Sequence, residues 1–247
     1  MSSKRTLVGI AVALLVGLAI LVVGCAQPKL ETELIYKADL SATVGTADEA
    51  MTNAIRIIIK ARLDAYDAKG ATVERTGTDQ IVVQLPAIED LDTAIELIGQ
   101  TAQFDFRELT YDSTGNPVKD ENGNLVWKPA MAVDSSGKEV HLSGTYLKRN
   151  TQVVLDPKLN WPLVYFEFNS EGAALFAQIT GRLIEKPLGI FLDNNCIASP
   201  LVKHKIEEGK GVIENIGLED ARNLAILLNA GALPCPLTLV SRRSLTS

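Results

Sequence analysis

The chain has 247 residues, 47% of them hydrophobic and 22% charged, with a formal net charge of −6. Its length suffices for one large or two small domains with real cores, and it is no mini-protein. The acidic balance argues against a nucleic-acid partner, which favours a basic face.

From Thr6 to Ala26 the sequence TLVGIAVALLVGLAILVVGCA carries no charged residue. At a rise of roughly 1.5 Å per residue that length matches a bilayer's hydrocarbon thickness, so a membrane-spanning helix is predicted. Lys4 and Arg5 flank its start and no basic residue follows until Lys29, which places the N-terminus in the cytoplasm and the bulk of the chain outside. Three fates compete: an uncleaved anchor, a cleaved signal peptide, and a lipoprotein signal ending Val22-Val23-Gly24-Cys25, with Cys25 acylated. The run exceeds the roughly 7–15-residue core of a cleavable signal and no A-x-A site is clear, which favours the anchor over 1–25.

Beyond the anchor, Glu33 to Leu40 reads as a short strand. Thr46-Ala47-Asp48-Glu49 has the spacing of a capping box, and Met51, Ala54, Ile55, Ile58, Leu63 and Tyr66 recur at helical spacing up to a stop at Gly70. Ala71 to Arg75 and Gln80 to Leu85 flank the turn Thr76-Gly77-Thr78-Asp79 and predict a hairpin closed by Pro86. Asp90 caps a second helix with Leu91, Ala94, Ile95 and Ile98 on one face, ending at Gly99. Ala102, Phe104 and Phe106 then alternate with polar residues, as in a half-buried strand. The order from Glu33 to Leu109 is β-α-β-β-α-β, a ferredoxin-like unit that packs both helices on one face of an antiparallel sheet.

Between Thr110 and Gly144 the composition shifts to Asp, Gly, Asn, Ser and Lys, which predicts hairpin-like loops. Asp120-Glu121-Asn122-Gly123 carries too few oxygens at fixed positions for a calcium loop and reads as a turn. A second α+β unit follows: strands at Thr151 to Leu155 and Pro162 to Phe168, then a helix from Asn169 or Ser170 with Ala173, Phe176, Ala177 and Ile179 inward. Leu188 to Leu192 and Ile197 to Val202 form a hairpin around Asp193-Asn194-Asn195. Val212 and Ile213 precede a last helix, Gly217 to Asn229, with Gly231 at its end and a final strand in GALPCPLTLV.

Phosphate loops, nucleophile elbows and helical zinc motifs are all missing, and no acid/base pair stands out. His141 and His204 lie among polar residues with no Cys or second His at ligand spacing, as surface histidines do. Cys196 and Cys235 are read either as a disulfide or as two small buried hydrophobes. The residues point to no enzyme, no metal and no cofactor.

Four stretches resemble the SecD family, the accessory membrane subunit of bacterial protein export: KARLDAY…GATVERTGTDQIVVQLPAIED, AIELIGQTAQFDFRE, VYFEFNSEGAALFAQIT…KPLGIFLDNNCIASPLV and LEDARNLAILLNAGALPCPL. The motif positions are Gln84, Leu85 and Pro86, Gly172, Asp193, and Gly231, Ala232, Leu233 and Pro234. The resemblance implies a first transmembrane helix followed by a first periplasmic domain. That domain comprises a ferredoxin-like base (26–110, returning at 211–247), a loop excursion (111–140) and an inserted α+β head (141–210). It further implies that the domain binds unfolded secretory preprotein beside a SecF-type subunit and the Sec channel, and that head movement coupled to proton flow assists export. The sequence departs from the family where LIYKADLSA replaces a glycine-rich stretch, where Ala87 follows QLP, and where Asn194 follows Asp193. The family's further membrane helices are not among these residues, so proton conduction is not expected of them. The expected alternatives are a piece of a full-length subunit or a free-standing anchored lipoprotein or scaffold with the same domain.

Overall fold

The computed structural model describes residues 28–42 and 48–245. The predicted membrane helix, with Lys4, Arg5 and Cys25, and the Thr46 cap lie outside the described residues. Among the described residues no helix is long and apolar enough to cross a membrane.

Strand β1 (Leu30–Ala38) turns Leu34, Tyr36 and Ala38 inward at the period of two that a pleated strand imposes. Helix α1 (Asp48–Ala65) buries Ile55, Ile59 and Leu63. It stops before Gly70, contrary to expectation. Asp67 takes the left-handed position at φ 67°, its N–H reaching Asp64 O at 3.2 Å and the Ala68 N–H reaching Leu63 O at 2.9 Å, which is the Schellman pattern. β2 (Thr72–Thr76) and β3 (Gln80–Pro86) form the predicted hairpin. α2 (Leu91–Gly99) is capped by Asp90, whose Oδ1 accepts the N–H groups of Asp92 and Thr93 at 3.0 Å.

Next come β4 (Phe104–Leu109), β5 (Trp127–Pro129), β6 (Met131–Val133) and β7 (Glu139–His141). β8 (Gln152–Leu155), β9 (Pro162–Glu167) and α3 (Ser170–Arg182) follow, α3 starting at Asn169, which accepts the Gly172 N–H at 2.8 Å. β10 (Leu188–Leu192) and β11 (Asn195–Ala198) make a hairpin shorter than expected, since Leu201 and Val202 form isolated bridges instead. β12 (Lys210–Ile213), α4 (Leu218–Ala230) and β13 (Leu237–Ser244) complete the chain.

The strands assemble in the orders β13-β1-β3-β2, β11-β10-β4-β5, β12-β9-β8 and β6-β7, every pair antiparallel. This corrects the expected run of six elements closing on one sheet. β4 does not return beside β1; β13, from the far end of the chain, takes that place. The cause lies in β4 itself. Phe106 contacts the rings of Phe104, Phe166, Phe168 and Phe176 at centroid distances of 5.2 to 5.9 Å, so the strand serves a second core. Nor is β4 half-buried. On its other face Asp105, only 4% exposed, pairs with Arg107 at 3.0 Å, and Arg107 lies 4.3 Å over the Phe191 ring.

Two buried clusters result. One gathers Leu34, Ile55, Ile59, Leu63, Ile81 and Val83 between α1, α2 and the first sheet. The other centres on Phe106, Phe166 and Ile179 and extends to α4 through Leu224 and Leu228. Helix α2 serves both, with Ala94 and Ile98 in the first and Leu97 in the second.

The expected loop excursion is built from a repeated turn. In each of the loops opened by Asp112, Asp120 and Asp134, the carboxylate accepts backbone N–H groups two and four residues on at 2.8 to 2.9 Å. Gly115, Gly123 and Gly137 close them at φ 83 to 84°, where a side chain is strained. Hydrogen bonds hold all three carboxyls below the ordinary 3.8, led by Thr114 for Asp112, Asn124 for Asp120 and Ser136 for Asp134. A depressed folded value means that this stabilisation is complete above the unfolded value and is lost as pH falls through the folded one. Amide chemical shifts of Thr114, Asn122 and Ser136 are therefore expected to titrate together below pH 3.8, with the rest of the fold still intact.

Candidate functional site

The chain passes between the two cores twice, at Gln100–Gln103 and at Ala230–Leu233, and the crossings are bonded by the Leu233 N–H to Thr101 O at 2.8 Å. Arg62, fully buried on α1, holds both. Its guanidinium donates to Leu97 O at 2.8 Å, Thr101 O at 3.4 Å and Gly231 O at 3.0 Å, and also to Gln100 O. Two helix C-termini, those of α2 and α4, converge here, and a cation answers their exposed carbonyls and dipoles. Arg149 does the same for Asn229 O at 3.0 Å and for Ala230 O. Burial pushes the Arg62 pKa down to about 10, with Asp193 opposing the shift. The Asp193 carboxylate accepts the Ala102 and Gln103 N–H groups at 2.9 and 2.8 Å. Cavities of about 370 and 340 Å³ lie on either side, the first lined by Leu97 and Gln100 and the second by Arg149 and Gly231.

A second feature is the face of the β12-β9-β8 sheet turned from the core. Val164, Phe166 and Phe168 point inward, so Leu163 and Tyr165 point out, and the register sets Val154 beside Leu163 and Val212 beside Tyr165. Val154 is 45% exposed, Tyr165 43%, and at the hairpin tip Trp161 is 56% and Leu159 63% exposed. Val154, Leu163 and Tyr165 border a groove of about 490 Å³. An apolar face this open is the kind of surface that marks an interaction site.

The structure brings some of the sequence-predicted positions together and separates others. Asp193, Gly231 and Leu233 meet at the crossings, while Ala232 lines the cavity beside Arg149 and Pro234 is exposed. Gln84 lies elsewhere, on the open face of the first sheet: its Nε2 donates to Glu33 at 2.9 Å, its Oε1 accepts from Thr72 at 3.4 Å, and Arg243 pairs with Glu33 at 2.6 Å, a polar row across four strands. Leu85 is in the first core and Pro86 ends β3 opposite Leu30. Gly172 lets α3 approach the chain before it, since a Cβ there would sit 2.5 Å from that of Tyr146.

Sequence reasoning missed Arg62, although a signal existed: it is a charge placed on the apolar stripe of α1, three residues after Ile59. Of the histidines, His141 Nε2 lies 3.0 Å from Phe106 O and His204 is exposed. Cys196 is exposed and Cys235 buried, and both are free thiols, so neither the disulfide nor the pair of buried hydrophobes describes them.

Residues 51–111 match the family model described as the N-terminal part of the P1 domain of protein translocase subunit SecDF, and residues 128–235 match that of the SecDF P1 head subdomain. Protein translocase subunit SecD of Dictyoglomus turgidum is 35% identical over 203 residues, covering 82% of this chain and 43% of that protein. The SecD of Dehalococcoides mccartyi is 36% identical over 211 residues, covering 83% and 46%. The chain thus spans less than half the length of these relatives. A solved structure described as "Structure and function of a membrane component SecDF that enhances protein export" matches with TM-score 0.66 and 26% identity, over 86% of this chain and all of that one. A second, described as SecDF in a super-membrane-facing form, shares the fold at TM-score 0.69 and 24% identity. The chain belongs to the SecD family, with residues 51–111 and 128–235 matching that family's P1 domain.

Proposed function

We propose that this chain carries the extracytoplasmic domain of a Sec translocase accessory subunit, one that binds preprotein as it emerges and assists its export under the proton-motive force. The observation that carries this reading is the open apolar face of the β12-β9-β8 sheet, with Val154, Tyr165 and Trp161 presented to solvent. Unfolded chains expose alternating apolar side chains, and an apolar sheet face beside a strand edge can hold them without any bond-making chemistry. Relatives named as translocase subunits, and a solved relative whose description speaks of enhancing protein export, support the same reading.

In this reading residues 6–24 anchor the chain with Lys4 and Arg5 on the cytoplasmic side, and the partners are a SecF-type subunit and the Sec channel. The division into base and head is a proposal too. The order β13-β1-β3-β2 fits a ferredoxin-like base completed by the last strand, and the second core draws β4 and α4 toward the head.

Crosslinking tests the reading directly. A photoreactive residue replacing Tyr165 is expected to capture a secretory precursor during transport, and an active export system that yields no adduct would refute the proposal. The double substitution Trp161→Ser with Tyr165→Ser is expected to weaken binding of a reduced, unfolded polypeptide by about tenfold, the usual cost of losing an aromatic anchor. Both side chains are already exposed, so the thermal midpoint should hardly move.

A further inference from the structure

Among the described residues, strand β8 is an edge strand, paired with β9 alone. Ladder bonds alternate along an antiparallel pair, and the Asp156 N–H to Trp161 O bond at 2.8 Å fixes their phase here. Gln152 and Val154 therefore direct their N–H and C=O groups to β9, while Thr151, Val153 and Leu155 direct theirs to the opposite side. At Thr151 that side is filled: Asn229 Oδ1 accepts the Thr151 N–H at 2.8 Å and Asn229 Nδ2 donates to Thr151 O at 2.9 Å, as a residue of a partner strand would. Beyond it, Val153 and Leu155 have no such partner among the described residues.

The open stretch runs between two dissimilar clefts. On the face of Val154 and Tyr165 lies the apolar groove of about 490 Å³. On the face of Val153 lies a cleft of about 750 Å³ between α1 and α4, with Leu218 and Ile226 among its walls. Asp67, Glu89, Asp90 and Glu219 rim this second cleft against a single cation, Arg222. Asp67 pairs with Lys69, but Glu89 and Glu219 have no ion-pair partner among the described residues. The negative field reaches Tyr66 in the same cleft: burial, then Asp90 and Glu219, hold its hydroxyl above the ordinary value.

We propose that the β8 edge is an augmentation site for an extended polypeptide whose apolar side chains alternate with lysine or arginine. The incoming strand pairs with Val153 and Leu155; its apolar residues fall on the Val154–Tyr165 face and its basic residues into the acidic cleft. This rests on the reading of the domain as a binder of exported chain, and adds to it a pattern of sequence and a register.

Fluorescence anisotropy with the full chain and three labelled peptides tests it: an alternating Lys-Val octapeptide, a block arrangement of the same residues, and the alternating peptide N-methylated at every second residue. The alternating peptide is expected to bind about tenfold more tightly than either of the others, and this preference should shrink as salt is raised. Val153→Pro removes one outward N–H and leaves the β8–β9 ladder intact, and it is expected to abolish the preference, as is Glu89→Lys combined with Glu219→Lys. Equal binding of the alternating and N-methylated peptides to the unaltered chain would overturn the proposal without reliance on any variant. If all peptides bind alike and only Tyr165→Ser releases them, the edge site is wrong and the polypeptide-binding reading stands. If unfolded polypeptide does not bind at all, both fall.

Discussion

Replacing Arg62 by Met is expected to lower the free energy of unfolding by about 3 kcal/mol, read as a shift of the urea midpoint at unchanged slope. The side chain is fully buried and its guanidinium spans carbonyls from four residues, Leu97, Gln100, Thr101 and Gly231. Met fills the volume of the aliphatic stem and removes the cost of burying a cation, but it leaves the Leu97, Gln100 and Gly231 carbonyls without a donor, while Thr101 O keeps the Leu233 N–H. A hydrogen bond to a charged group contributes about 1.5 to 3 kcal/mol, and an unpaired buried acceptor costs about 1 to 3. Several such losses outweigh the one desolvation gain. Arg62→Lys is expected to recover less than half, because an ammonium is a point donor and cannot span two helix ends as the planar fork does. A loss under about 0.5 kcal/mol for Arg62→Met would show that water entering the two flanking cavities pairs the carbonyls unaided.

Gly231→Ala is expected to cost about 2 kcal/mol and to weaken the same crossing from the other side. Gly231 closes α4 at φ 92° and ψ 169°, a region that glycine occupies without penalty and other residues almost never adopt. A Cβ added there would lie 3.0 to 3.4 Å from the Arg149 guanidinium, which bonds the last carbonyls of α4. That group ends a flexible side chain and can give way, so the backbone supplies most of the cost. Thermal unfolding of Gly231→Ala and of Arg62→Met, singly and together, measures their coupling: residues sharing one hydrogen bond should fall short of additivity. Strict additivity would mean that the crossing is not one unit.

Much of the local structure was legible before any tertiary contact was known. The helices follow from apolar residues at three- and four-residue spacing, as in Ile55, Ile59 and Leu63, and the Asp90 and Asn169 caps sit where their side chains satisfy the first free N–H groups. The hairpin of β2 and β3 follows from its turn. Strand partnership did not follow. A period of two states which residues share a face but not which strand lies alongside, so nothing near Phe104 or Leu237 could announce that β13 and not β4 borders β1.

The candidate site was legible only in part. Asp193 and Gly231 stood out as motif positions, yet their meeting depends on Arg62, a residue over 160 positions from Gly231 in the chain. The exposed sheet face escaped notice for a simpler reason: Leu163 and Tyr165 are apolar, like Val164 and Phe166 between them, so the alternation that normally separates inside from outside is missing.

By itself, then, the sequence determined the helices and most strands, the Asp90 and Asn169 caps, the apolar N-terminal segment and the family, because those rest on contacts within a few residues or on motifs read in order. The tertiary structure alone decided which strand completes the first sheet, that a buried cation ties both crossings, and that, among the described residues, one apolar sheet face is left uncovered beside an unpaired edge stretch. Each of these depends on residues that are far apart in the chain and are brought together by burial, which carries no local signature.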